Sequence, residues 1–416
     1  MHGHPPLRRN RDFILLWTGQ LVSTVGSEVS ALAFPLLVLA LTHSPAKAGI
    51  VGFAQTLPNL FLYLPAGALV DRWDRKRIML VSDAIRAVAL GSVAVALAAH
   101  SLSFAQIIGV AFVEGCLSVF FRVAESAALP QVVPKEQLPD AIAQNQARQQ
   151  GAGVVSQPLA GALFSIGRLV PFVFDAVSYA ASFVSLLFIR PAFQEQRERS
   201  GVRLRDEIAE GVRWLLQERF LRTTITLSAG TNFAHSAFAL VLIVRAQELG
   251  ASPTLIGVMF ALFAGGAVVG SLAAPWIQRH IAPRVVLIGS IWLWAAATAV
   301  LVFVPNTLAL GALAGVQALV GPPWNVIVGS YRYALVPDRL LGRVQSAGSL
   351  VSWGTIPLGA LAGGFLIEGL GTRPTFLVLA GVFFVVAAGA TSARVIREAP
   401  RVESLLGTGS HSDHVA

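Results

Sequence analysis

The residues best placed to do chemistry in this chain are charged or polar side chains set inside long apolar stretches. Glu28 lies about halfway along the first of these, beside Ser23, Thr24, Ser27 and Ser30. Asp83 and Arg86 stand three residues apart in the third, Glu114 is central to the fourth, Asp175 opens the sixth, and Asn232 and His235 share the seventh. If these stretches cross a bilayer, an unpaired charge at their centre costs on the order of 2.5 to 3.5 kcal/mol, so each such residue is a functional candidate. A carboxyl group in that setting can take up and release a proton or hold a cation. Glu28, Glu114, Asp175, His235 and Asn232 are therefore the candidates for proton coupling or for lining a substrate cavity. Bland roles compete: a Glu28 satisfied by hydroxyls, a Glu114 buried between helices or paired with a base, an Asp175 serving a helix start, a structural His235. Asp83 and Arg86, spaced i,i+3, read as a structural ion pair. Arg122 and Glu125, at the far end of the stretch that holds Glu114, read as gate or structural residues.

Other chemistry is poorly supplied. No nucleotide-binding motif is present, and no loop carries a catalytic His or acid cluster, so an enzyme is not expected. Cys116 is the only cysteine, which excludes a disulfide framework and a Cys-rich metal site. No cofactor is expected, and the driving force left is an ion gradient. One proton falling through 100 mV releases about 2.3 kcal/mol, enough for somewhat under a hundredfold solute gradient at about 1.4 kcal/mol per tenfold.

The elements that must position these residues follow from composition. Of 416 residues 55% are apolar and 13% charged, too few polar side chains to cover a soluble surface. Stretches of roughly 20 apolar residues, enough to span a bilayer as helix, lie near 13–41, 46–70, 77–98, 103–124, 141–166, 168–190, 221–246, 253–278, 284–304, 307–330, 343–368 and 373–396. Twelve spans are thus predicted, the fifth least clearly because of its polar opening at Gln144 to Gln150. With the N-terminus in the cytoplasm, 26 of the 31 Lys and Arg fall inside, Lys47, Arg168, Arg245 and Arg373 fall outside, and Arg86 lies within a span. That is the positive-inside distribution, and it places both termini in the cytoplasm. The net charge of +9 is thereby explained by topology, and nucleic acid is not an expected partner. The first stretch is too long for a signal-peptide core and reads as a retained helix.

A hydrophilic segment at 191–220 divides the spans into an N-terminal six-helix bundle, 1–190, and a C-terminal one, 221–397, with a charged tail at 398–416 that reads as disordered. Within the linker Leu204, Ile208, Val212 and Leu215 form one apolar stripe of a helix, lying either on the membrane surface or packed beneath the bundle. Faint repetition relates the bundles. Ser44-Pro45 with Gly49 recurs as Ser252-Pro253 with Gly257, Val133-Pro134 as Val336-Pro337, and Pro158 with Ala160 and Gly161 as Pro357 with Gly359 and Ala360, at offsets between roughly 199 and 208 residues. Gly266 and Gly270, Gly311 and Gly315, and Gly359 and Gly363 are spaced for close helix contacts.

The loop Gly67-Ala-Leu-Val-Asp71-Arg72-Trp-Asp-Arg75-Lys76-Arg77 resembles the G-x-L-x-D-R-x-x-R-K signature between helices two and three of the major facilitator superfamily. Gly67 is expected to let two helices approach. The resemblance implies a gating role for Gly67, Asp71, Arg72, Arg75 and Lys76, with Asp71 locking the cytoplasmic face through the region of Gly342 to Ser346. Gln278 stands where the second half would repeat the acid. Gly153, Pro158 and Gly161 resemble part of the helix-five motif of drug:proton antiporters. Leu7 to Phe13, Ser82 to Arg86, Leu129 to Pro134 and Phe174 to Tyr179 resemble the macrolide-efflux and enterobactin-exporter branch, the transmembrane secretion effector family. What the resemblance implies is an all-α fold of twelve helices in two six-helix bundles, in a bacterial inner membrane and monomeric. It implies export of an amphiphilic drug, macrolide-like compound or siderophore by proton antiport and alternating access. A lysophospholipid flippase or an importer of the same fold is the rival reading.

Overall fold

The computed structural model describes residues 7–70, 72–190, 193 and 204–401, and these are almost entirely helical. In chain order the helices are α1 (Arg11–Thr42), α2 (Pro45–Val70), α3 (Arg75–Ala98), α4 (Phe104–Val132), α5 (Leu138–Ile166), α6 (Val170–Leu187) and α7 (Leu204–Gln217). They continue as α8 (Arg219–Glu248), α9 (Pro253–His280), α10 (Pro283–Leu301), α11 (Thr307–Leu319), α12 (Gly321–Leu335), α13 (Asp338–Leu370) and α14 (Thr372–Ser392). Caps fix several starts: the side chains of Asn10, Asp74, Ser103 and Asn306 each accept from the backbone N–H three residues on, at 2.8–3.1 Å. The chain is a multi-pass membrane protein. Among the described residues ten helical segments combine spanning length with apolarity, α11 and α12 counting together as one. The other two expected spans, α2 and α5, are helices of 26 and 29 residues that fall outside that ten.

The tenth expected span differs from a single helix. It breaks between Leu319 and Gly321, where Gly321-Pro322-Pro323 follows. Neither proline has an N–H to give to a carbonyl one turn back, so the helix restarts. Broken helices persist at membrane depth where they line a cavity, and this one does.

The chain divides into two compact units, Met1–Ser200 with Ala246–Ala261, and Gly201–Arg245 with Leu262–Ala416. In the first, α1 packs on α5 and α6, α2 on α4, and α3 on α4 and α6. The start of α9 belongs here as well. A Cβ at Gly161 or Gly257 would run into the backbone of Pro253 or Gln157, so glycine is what allows that approach. In the second unit α10 packs on α11, α12 and α14, and α13 on α14. Asn232 and Ser236 of α8 donate to the carbonyls of Ser352 and Ile356 on α13, both at 2.8 Å.

The linker helix packs on the second unit. α7 lies along α13, Leu215 is buried, Gly211 abuts the backbone of Arg343, and Glu210 pairs with the Arg343 side chain. That contact is why 201–220 groups with the second unit rather than standing apart. Of the predicted tail, only 398–401 falls within the described residues.

Candidate functional site

The first unit encloses a polar cavity of about 390 Å³ between α1, α2, α3, α4 and α5. Its charged lining is balanced, with Glu28, Glu114 and Glu125 against Arg86, Arg122 and Arg148. Two buried ion pairs line it. Arg86 gives Nε and Nη2 to one oxygen of Glu114, at 3.1 and 3.0 Å, with both side chains under 10% exposed. About three turns along α4, Arg148 meets Glu125 at 2.6 Å. Arg122 donates to the Asn59 side chain at 2.5 Å, and Glu28 accepts from the Gln157 amide at 3.4 Å. Glu28 and Arg122 are thus the lining charges outside the two ion pairs.

Around Arg86 the network continues. Its guanidinium lies 4.0 Å from the centre of the Tyr179 ring, a cation–π contact, and within 3.4 Å of Ser27 Oγ. The Tyr179 hydroxyl is 2.7 Å from Ser27 Oγ and 3.2 Å from Glu114. Each hydroxyl has one proton to give, so Ser27 donates either to Tyr179 or to the Ser23 carbonyl 2.9 Å away, and Tyr179 either to Glu114 or to Ser27. The other oxygen of Glu114 is buried with no hydrogen-bond partner among the described residues. Asp175 is fully buried beside this cluster, accepting from Ser178 at 3.0 Å and from Ser30. Gly26 makes the space, since a Cβ there would overlap Asp175 and Ser178.

The expected Asp83–Arg86 pair is not what forms. Arg86 pairs with Glu114 across helices, and Asp83 is fully buried with the Ser182 side chain beside it and the Arg86 charge acting on it only at longer range. The i,i+3 spacing brings two side chains to one face of a helix, but two charge-assisted hydrogen bonds to a single carboxylate oxygen from α4 take up the guanidinium.

The signature loop does structural work at one end of the first unit. Buried Arg75 donates to the carbonyls of Ala127 and Phe193, at 3.0 and 3.1 Å, and Lys76 caps the end of α6 through the carbonyl of Ile189 at 2.6 Å. Arg72 is exposed, and Asp71 lies outside the described residues. A Cβ built on Gly67 meets nothing within 4 Å among the described residues. The same holds for Gly153, whereas Pro158 and Gly161 do meet the start of α9. Gln278 of the second half donates to Ser330 at 2.9 Å.

The second unit has its own cavity, about 560 Å³, lined by residues of α8 to α13 and by the break at Gly321 and Pro322. His235 and Asn232 line it. His235 sits among rings, its centroid 4.8 Å from Trp294 and 5.0 Å from Phe383, while Nδ1 is 2.9 Å from the carbonyl of Thr231. This box is the counterpart of the charged cluster. Ser27, Arg86, Glu114 and Tyr179 recur 208, 208, 203 and 204 positions later as His235, Trp294, Gln317 and Phe383. Trp294 meets the same two positions by different contacts, donating to the backbone carbonyl of Gln317 at 2.9 Å where Arg86 bonds the Glu114 side chain, and packing on Phe383 where Arg86 packs on Tyr179. One plan has been filled with charge in the first unit and with neutral aromatics in the second.

Sequence reading missed Arg148. It sits in the polar opening of α5, and the clue was there: an arginine inside a helical run of Gln and Asn is a poor lipid-facing residue.

Paired charges buried across spanning helices, two units of related plan and a cavity in each define a membrane transporter of the major facilitator type. The chain belongs to the transmembrane secretion effector family, whose model matches residues 2–405. It is 26% identical over 380 residues to the multidrug efflux pump Tap of Mycobacterium tuberculosis, covering 89% of this chain and 90% of that protein. It is 24% identical over 376 residues to macrolide efflux protein A of Streptococcus pyogenes, covering 88% and 92%. In fold alone it resembles the nucleoside transporter NupG, with a TM-score of 0.73 over 94% of this chain and 100% of that one at 13% identity. A bacterial homologue of the lysosomal transporter Spinster gives 0.69 over 94% and 97%, at 15% identity.

Proposed function

We propose that this protein is a secondary exporter of amphiphilic small molecules, driven by proton antiport and working by alternating access as a monomer in a bacterial inner membrane, with both termini cytoplasmic. The efflux pumps among its relatives support export. The observation that carries proton coupling is the position of Glu28 in the charged cavity. Neutralising Glu114 or Glu125 would strand Arg86 or Arg148 as a buried unpaired cation, which costs about 3 to 5 kcal/mol. Neutralising Glu28 strands nothing, because its partner is the neutral Gln157 amide. Glu28 is therefore the lining acid that can gain and lose a proton with the ion pairs intact. Asp175, held by hydroxyls, has the same property but does not line the cavity. His235, boxed by rings, is read as a substrate-cavity residue rather than a relay.

The test is accumulation of a panel of antibiotics and siderophores in cells with and without the gene, repeated after the proton gradient is collapsed. Lower accumulation that depends on both gene and gradient is expected. Equal accumulation across the panel would reject export, and gene-dependent efflux indifferent to the gradient would reject proton coupling.

A further inference from the structure

The second cavity carries an unmatched charge. Arg332, about one turn before the end of α12, is the only charged residue among the described residues lining it, and no acid faces it there. The guanidinium is half-buried and makes no hydrogen bond or ion pair to another described residue. Asn325 and Gln345 line the same cavity, are exposed to it, and have side-chain amides without hydrogen bonds to other described residues. The first cavity treats its cations otherwise, engaging all three arginines.

Flat apolar rings line the same cavity. Trp294 and Trp324 are almost buried, their ring centroids 6.1 Å apart, and Trp353 is 40% exposed at the rim. A cavity of this size holds a drug-sized solute or a large part of one, and rings with a few convergent polar groups are what such sites use. A cation with no counter-ion among the described residues, in a cavity that also offers stacking surfaces, calls for an acidic group on a ring-bearing molecule.

We propose that this cavity is a binding site for aromatic organic acids, with the carboxylate or phenolate engaged by Arg332, Asn325 and Gln345 and the ring lying against the tryptophans. This deepens the export reading by naming a substrate class, and it assigns recognition to the second unit and coupling to the first.

Dansylglycine and its uncharged methyl ester are matched probes, and both accept excitation energy from tryptophan. The full chain in lipid nanodiscs is titrated with each, and energy transfer gives a Kd. The wild type binds the acid roughly tenfold tighter than the ester, the size of one charge-assisted contact. Arg332→Gln raises the Kd of the acid about tenfold and leaves that of the ester unchanged, which also reports that the cavity is folded. Arg332→Lys retains most of the preference, and Arg279→Gln, a substitution on the exposed end of α9, retains all of it. Equal affinity for acid and ester in the wild type, no saturable transfer with the acid, or a preference that survives Arg332→Gln overturns the proposal. Binding is read without transport, so a protein that exports drugs yet shows no acid preference loses this inference and keeps the export reading.

Discussion

Replacing Glu114 by Gln keeps the size of the side chain and removes the charge that faces Arg86. The guanidinium is then left at 6% side-chain exposure with Ser27 and the face of Tyr179 for company. Breaking a buried pair from one side costs about 3 to 5 kcal/mol, and the cation–π contact, worth about 2 kcal/mol when desolvated, stays in place. A loss near the lower end, about 3 kcal/mol, is therefore expected for Glu114→Gln. Arg86→Gln strands Glu114 instead and should cost a similar amount. The double substitution removes both charges and leaves two amides able to bond each other, so it should cost about 1 to 2 kcal/mol, far below the sum. The coupling between the sites is then several kcal/mol. Equilibrium unfolding of all four proteins in mixed micelles measures it. Single variants within about 0.5 kcal/mol of wild type, or a double variant equal to the sum of the singles, would refute the pairing.

Gly266→Ala places a Cβ against the backbone of Gly315 and should cost about 1 to 3 kcal/mol by forcing α9 off α11, whereas Gly67→Ala meets open space and should be neutral or slightly stabilising; thermal unfolding of both in one detergent separates them. Lys76→Ala removes the cation from the carbonyl end of α6, and a loss of about 1 kcal/mol is expected, with faster hydrogen exchange confined to the residues just after Leu187.

Much of this fold was legible because lipid is a demanding solvent. Apolar runs of spanning length, basic loops on one side and faint repeats at half-chain offset are imprinted in one dimension. The break at Gly321-Pro322-Pro323 was equally visible in the residues, yet the surrounding apolarity hid it inside a single span. Glu28 and Glu114 were legible because a charge in an apolar stretch is costly and must have a reason. Their partners were not, because pairing depends on which helix faces meet: Asp83 is near Arg86 in sequence, but Glu114 is the one aimed at it. Arg148 was masked by its polar neighbours. The correspondence of Arg86 and Glu114 with Trp294 and Gln317 was hidden because the charged pair is replaced by neutral residues, and only the shared half-chain offset and neighbouring positions reveal it.

The central claim is that Glu28 carries the coupling proton while the ion pairs hold the cavity in shape. Its most direct test is Glu28→Gln in proteoliposomes, measured twice with one transported dye: uptake driven by a pH gradient, and exchange of labelled for unlabelled dye with no gradient. The account predicts that gradient-driven uptake falls to the level of empty vesicles while exchange continues at a rate close to wild type. Gradient-driven uptake that persists in Glu28→Gln would contradict it.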